Sequence, residues 1–392
     1  MNHHIYRFAA VSTSFLLSVS GLAADFNSTL SRLVENSPSL KYYAAEADAT
    51  IKESRTYNNL PDPEIEGEHM WGTRGQTKWN AGISWTIDWP GAYSARGNVA
   101  KAQKDAEISR LESRRRSLEN EVGTQLIAYA KATRRLNVIH RLEASTDSMA
   151  LIIEAGIKHG RLTTLDSYKI NIEKGRLAAA IEEEKGAVSE CRAAIVALCG
   201  ADADIILQSF DTSFPDDPGF GTAYYIDKVN GTPDVKLATA EACLARARQK
   251  SVDRELFPSL SLGYIHAYEE ETHFNGGKIG LSLPVFSSKG KRAASKAATV
   301  AAESNAENIR ESLTAQVRIW CSRLDATRAS LTELSPVFNT ESPQDMLYKA
   351  YRLERLSLLE YLQERNYYME AELDYIDLLA ARAEILNALS TL

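Results

Sequence analysis

Apolar and polar side chains alternate between residues 79 and 89. One set consists of Trp79, Ala81, Ile83, Trp85, Ile87 and Trp89, and the other of Asn80, Gly82, Ser84, Thr86 and Asp88. A period of two predicts a β-strand with one apolar and one polar face. The preceding segment also alternates and places Glu64, Glu66 and Glu68 on one face. Strands are therefore predicted at about 63–71 and 78–89.

Two weaker alternating segments predict further strands at about 258–268 and 278–286, carrying Leu260, Leu262 and Tyr264 and then Ile279 and Leu281. Alternation alone does not separate soluble hairpins packed on helices from membrane strands. Four of the five tryptophans lie in the first hairpin, which favours membrane strands with aromatic belts. The predicted lipid-facing residues are Trp79, Ile83, Trp85, Ile87 and Trp89. Because four strands cannot close a barrel and lipid tolerates no open edge, several chains must share one barrel.

Long helical segments surround these strands. Helices are predicted at Phe26–Asn59 and Pro233–Glu255, and a third runs from Gly91 to about His159 without a proline. A helix of that length spans about 100 Å and is stable only when it packs along other helices, as in a coiled coil.

The chain also repeats itself. Pro38–Lys41 resembles Pro233–Lys236 at an offset of 195 residues, and two further stretches match in the same order at offsets of 198 and 194. We therefore predict a tandem repeat, with repeat 1 at 25–210, a linker rich in proline and glycine at 211–232, and repeat 2 at 233–392.

The N-terminal residues 1–24 are typical of a secretory signal peptide, with Arg7, an apolar run and small residues before Asp25. The alternative is a buried helix of the mature domain.

The net charge of −7 argues against nucleic acid as a partner, and the mean hydropathy of −0.29 argues against a bundle of membrane helices.

Each repeat contains a predicted helix start with a capping box. Thr163 stands three residues before Asp166, and Ser357 three before Glu360, which predicts two hairpin tips near residues 160 and 355.

We find no catalytic or cofactor-binding motif, so we expect neither an enzyme nor a cofactor or metal site. Cys191, Cys199, Cys243 and Cys321 are interpreted as buried structural thiols rather than metal or redox groups.

Taken together, the chain resembles the TolC family of outer-membrane efflux proteins. The resemblance rests on the repeat, on Ser282–Phe286 before Gly290, on the tips at Gly160 and Arg355, and on the strand-to-helix passage Ile83–Gly91. That passage looks like members that serve resistance-nodulation-division pumps, including heavy-metal pumps.

The resemblance implies an α+β membrane protein. It would be a homotrimer in which each chain adds four strands to a shared transmembrane β-barrel and long antiparallel helices to a periplasmic α-barrel. Its tips would dock a periplasmic adaptor through His159, Gly160, Arg161, Glu354 and Arg355.

The resemblance also implies a gate just past the second tip. Glu360 occupies an acidic position there, while Gln363 stands where a second acid is expected, with Glu364 beside it; Asp166 matches Glu360 at the first tip. The expected function is a passive outer-membrane exit duct of a tripartite efflux or type I-like secretion system, working with an adaptor and an inner-membrane pump. The alternative is a soluble periplasmic coiled-coil adaptor or binding protein without lipid-facing strands.

Overall fold

The computed structural model describes residues 24–73, 75, 77–269, 271–284, 289–338, 343–353 and 355–392, so most of the predicted signal peptide lies outside it. The strands are β1 (Glu64–Trp71), β2 (Thr77–Ile87), β3 (Ser259–Glu269) and β4 (Thr272–Ser282). The helices are α1 (Phe26–Asn36), α2 (Pro38–Thr56), α3 (Pro90–Lys158), α4 (Thr164–Cys199), α5 (Ala203–Gln208), α6 (Thr222–Lys228), α7 (Pro233–Glu255), α8 (Lys291–Phe338), α9 (Pro343–Arg352) and α10 (Leu358–Ser390).

The first predicted helix, Phe26–Asn59, is divided into α1 and α2, so that prediction is wrong at its centre. Ser37 adopts an extended ψ of 125°, because proline at the next position disfavours the helical conformation of the residue before it. Pro38 then begins α2, where its missing N–H has no helical partner to lose. The Ser37 hydroxyl donates a hydrogen bond to the carbonyl of Leu198 at 2.7 Å, which fixes this corner against α4.

The four strands form one antiparallel sheet in the order β1-β2-β3-β4. Ile65 pairs with Ile83, Ile83 with Tyr264, and Tyr264 with Gly277. Because directly paired residues share a face of a sheet, the apolar positions of all four strands lie on the same side. The two hairpins are therefore continuous, with β1 and β4 at the edges.

Two strand ends differ from the prediction. Trp89 was expected in the strand but is the N-cap of α3, since Pro90 begins that helix and keeps the residue before it extended. The fourth strand begins at Thr272 rather than about 278, because the hairpin turn after Glu269 is tight, with Glu271 at a φ of 63°. It ends at Ser282, two residues before Pro284, and the predicted strand residues 285 and 286 lie outside the described part of the chain.

The helices pack along one another as a long layered bundle. The helix α3 has 69 residues, about 100 Å at 1.5 Å per residue. Leu33, Leu126 and Ile195 belong to a core that joins α1, α3, α4, α5 and α10. A second core joins α6, α7, α8 and α10 around Tyr225 and Leu324.

The predicted linker contains structure at its end, since α6 and a short 3₁₀ turn, Val229–Gly231, occupy its second half. In the second half, the described helical residues before the second tip belong to α8, Lys291–Phe338, and α9, Pro343–Arg352. The twofold repeat stays a prediction from the sequence.

Candidate functional site

One face of the sheet exposes large apolar side chains in every strand. Trp79, Ile83 and Trp85 are 37%, 47% and 39% exposed, and Ile87 is half-buried. The other exposed side chains of this face are Ile65, Trp71, Leu260, Leu262, Tyr264, Ile279 and Leu281. Trp89 is exposed as well but stacks on Phe257 at the base of α3. An apolar face of this extent marks a surface that meets a partner or a membrane.

The opposite face is polar and closely packed. Lys278 Nζ reaches Glu66 Oε2 at 3.1 Å across two intervening strands, and Asn80 Nδ2 donates to Glu68 Oε2 at 3.0 Å. A Cβ atom on Gly263 would lie 2.8 Å from the carbonyl oxygen of Ile83. Small residues on this face therefore allow the strands to curl towards the polar side.

The first hairpin tip is the turn between α3 and α4. Gly160 has a φ of +71°, which favours glycine. The N–H of Arg161 donates to the Gly156 carbonyl at 2.9 Å, and the side chain of Leu162 folds back onto Gly156. His159, Gly160 and Arg161 are all exposed.

Both predicted capping boxes form. The N–H of Thr163 donates to Asp166 Oδ2 at 3.0 Å, and the N–H of Ser357 donates to Glu360 Oε2 at 2.8 Å. These hydrogen bonds lower the pKa of both carboxyl groups below their ordinary values. Asp166 and Glu360 thus begin helices as well as being gate candidates.

The two tips pack against each other. Ile153 and Ile170 from the first hairpin share a core with Leu358 and Tyr361 from the second. This contact brings both helix starts to the same end of the molecule. Arg355 and Glu364 are exposed there, whereas Glu354 lies outside the described residues.

A buried charge behind the tips was missed by sequence reasoning. Arg365 on α10 is 1% exposed and donates hydrogen bonds to Thr146 Oγ1 at 2.7 Å and Glu173 Oε1 at 3.0 Å. It thereby joins α10 to α3 and α4. The available signal was its spacing, since Arg365 follows Leu358 and Leu362 on the same helical stripe.

The cysteines lie far from this end, and all four are free thiols. Cys199 and Cys321 are buried as predicted, and burial raises the pKa of the Cys199 thiol to about 11. Cys191 is half-buried and Cys243 is exposed, so the prediction of a buried thiol is wrong at both positions; Cys243 lies on the outward side of α7. Among the described residues, no group of three or more His, Cys, Asp or Glu side chains is arranged to hold a metal ion. None of the described helices is both long enough and apolar enough to cross a membrane.

Comparisons with known proteins identify the fold. No family model and no curated protein matches the chain. Solved structures do match. A membrane protein from Pseudomonas aeruginosa matches at 17% identity, covering 93% of this chain and 89% of that one, with a TM-score of 0.75. The outer-membrane channel OprN matches at 16% identity, covering 93% and 90%, with a TM-score of 0.73. The Campylobacter jejuni outer-membrane channel CmeC matches at 16% identity, covering 93% and 84%, with a TM-score of 0.70.

The chain therefore has the fold of TolC-family outer-membrane channels. At 16–17% identity the likeness establishes the fold. The resemblance expected from the sequence is therefore confirmed for the fold. The mostly helical chain with four antiparallel strands matches these channel folds.

Proposed function

We propose that the chain is the passive exit duct of a tripartite efflux system in the outer membrane, acting as a homotrimer. The observation that carries the proposal is the sheet: one face exposes large apolar side chains from β1 to β4, and the other carries the charged side chains. The helices extend from one end of it, and the longest, α3 with 69 residues, is about 100 Å long. The likeness to OprN and CmeC, both described as outer-membrane channels, supports the same role here.

The sheet edges argue for a shared barrel. Within the described residues, β1 pairs only with β2 and β4 only with β3, so each edge strand has unpaired N–H and C=O groups. Lipid offers these groups no hydrogen bonds. Edges of neighbouring chains would satisfy them, and three copies would give twelve strands.

The polar face would then line the lumen. Glu64, Glu66 and Glu68 project from this face in β1. Lys278 balances the charge of Glu66, so an excess of carboxylates remains, and symmetry would repeat it around the passage. Rings of carboxylates favour cations in such a pore. The protein's contribution is permeation, with the pump supplying both the solute and the free energy.

The tips would form the periplasmic mouth. His159, Gly160, Arg161, Glu354 and Arg355 are proposed to dock a periplasmic adaptor, which links the duct to an inner-membrane pump. Glu360, Glu364 and Asp166 are proposed as gate residues. Docking would open the mouth by moving α10 away from α3 and α4, against the hold of Arg365.

Conductance of the purified chain in planar bilayers tests this proposal. We expect Glu360→Gln to weaken block by divalent cations, because symmetry-related carboxylates would no longer gather near the axis. Glutamine still completes the capping box, so the helix start is preserved. Glu154→Gln, a neutralisation on the exposed surface of α3, is the matched control. Unchanged block in Glu360→Gln would remove Glu360 from the gate, and absence of any conductance would contradict the duct.

A further inference from the structure

Two histidines meet on the apolar face of the sheet, next to its turns. His266 lies on β3 and His273 on β4, close to the hairpin turn and far from the helices. His266 pairs with Asn275, and Tyr268 pairs with His273, so the histidines are diagonal neighbours on one face. Their facing nitrogens, His266 Nε2 and His273 Nδ1, are 3.2 Å apart.

A hydrogen-bond chain orients the first imidazole. The Tyr264 hydroxyl donates to Asn275 Oδ1 at 2.6 Å, and the same oxygen lies 2.8 Å from His266 Nδ1. An amide oxygen only accepts, so His266 Nδ1 carries the proton in this contact. The lone pair of His266 is then on Nε2, the nitrogen that faces His273.

Aromatic rings restrict both histidines. The Trp79 ring lies 5.4 Å from His266, and the Tyr268 ring lies 4.9 Å from His273, measured between ring centroids. The two imidazoles are nearly parallel, at 24°. His273 is exposed, so a solute reaches the pair without rearrangement of the sheet.

We propose that His266 and His273 bind a divalent transition-metal ion, such as Zn²⁺ or Cu²⁺. Zinc–imidazole bonds of about 2.0–2.1 Å in tetrahedral geometry separate two ligand nitrogens by about 3.3 Å, close to the separation found here. Without metal, His273 Nδ1–H donates to His266 Nε2. With metal, the Nδ1 proton of His273 is replaced by one on its Nε2, and both rings turn so that the two lone pairs converge on an ion beside the line that joins the nitrogens. Water fills the remaining positions.

Asn275 is the positioning residue of this site. A ligating histidine usually gives its other N–H to an oxygen acceptor, which fixes the tautomer and the ring orientation. The pair Asn275 and Tyr264 supplies that acceptor and holds it in place. Both histidines lie on the sheet of a single chain. Metal binding by this pair is therefore tested separately from the exit-duct proposal.

Equilibrium dialysis of the purified, untagged chain against Zn²⁺ tests the site. We expect one ion per chain, affinity reduced at least tenfold in His266→Gln and in His273→Gln, and affinity reduced about tenfold in Asn275→Ala. His69→Gln is the matched control, because His69 lies on the same face but stacks on Trp71. It should leave the affinity unchanged.

Electron paramagnetic resonance with Cu²⁺ separates direct ligation from a structural effect. The wild-type spectrum should show two nitrogen ligands, and each single histidine variant should show one. The proposal is overturned if no stoichiometric ion binds, if His69→Gln weakens binding as much as His266→Gln does, or if the copper spectrum is the same in wild type and variants.

Discussion

Arg365 Nη2 on α10 donates a hydrogen bond to Glu173 Oε1 on α4 across 3.0 Å, and both side chains are at least nine-tenths buried. The same guanidinium holds Thr146 on α3 and lies 5.9 Å from the centroid of the Tyr361 ring. One side chain thus ties the second hairpin to both helices of the first. Any opening of the proposed periplasmic mouth that moves α10 must break these contacts.

Replacing Arg365 should therefore loosen the tips. Arg365→Met leaves the buried Glu173 with only a 3.8 Å contact to the exposed Arg176, and removing one member of a buried pair costs about 3–5 kcal/mol of stability. We expect a lower unfolding midpoint and a larger single-channel conductance. The double variant Arg365→Met/Glu173→Met should regain part of the stability, because no buried charge is left unpaired.

Arg141 provides the control for that prediction. Its guanidinium is paired with Glu372 at 2.5 Å but is 60% exposed, and exposed pairs contribute about 0–1 kcal/mol. Arg141→Met should change neither stability nor conductance measurably. Equal effects of Arg141→Met and Arg365→Met would show that burial of the pair is not what holds the tip.

The start of α10 should be sensitive to acid. Hydrogen bonds from Ser357 lower the pKa of Glu360 below its ordinary value of 4.5. The ionised carboxylate therefore stabilises the helix start above pH 4.5, and this contribution is lost as the pH falls through the lowered pKa. Hydrogen exchange of residues 357–366 should accelerate over that range in the wild type, relative to Glu360→Gln at the same pH. The same acceleration of exchange in the wild type and in Glu360→Gln would show that ionisation of Glu360 does not stabilise the start of α10.

The turn at the first tip should depend on its glycine. Gly160→Ala introduces a side chain at a φ of +71°, where L-residues are strained by about 1 kcal/mol, and it should lower the unfolding midpoint. Gly175→Ala is the matched control in the middle of α4, where an added Cβ meets nothing within 4 Å. It should stabilise the helix by about 0.5–1 kcal/mol. The same sign for both substitutions would contradict the turn geometry.

A lysine should have different effects on membrane assembly at two neighbouring positions in β1. Ile65 is 84% exposed on the apolar face, and Glu64 lies on the polar face. Lysine on a lipid-facing strand costs up to about 2–4 kcal/mol at the middle of the bilayer and less near its surface. Ile65→Lys should reduce assembly into the membrane fraction, whereas Glu64→Lys should not. Equal yields would indicate that the apolar face does not meet lipid.

The features that the sequence predicted correctly depend on residues close together along the chain. The alternation from Trp79 to Ile87 predicts a strand with two unlike faces, and the spacing of Thr163 and Asp166 predicts a helix start; both are local effects. Pro38 also acts locally: it divides the predicted helix Phe26–Asn59 into α1 and α2.

What the sequence concealed depends on distant partners. The early start of β4 follows from pairing with β3, since Gly276 and Gly277 carry no alternating pattern of their own. The burial of Arg365 depends on Glu173, which lies 192 residues away. No window of the sequence contains both members of such a pair.

Fractionation of cells that express the full chain tests the central claim most directly. The account predicts that the protein sediments with the outer membrane and runs as a trimer on a gel before heating and as a monomer after heating. A soluble monomer in the periplasmic fraction would contradict it and favour the coiled-coil binding protein instead.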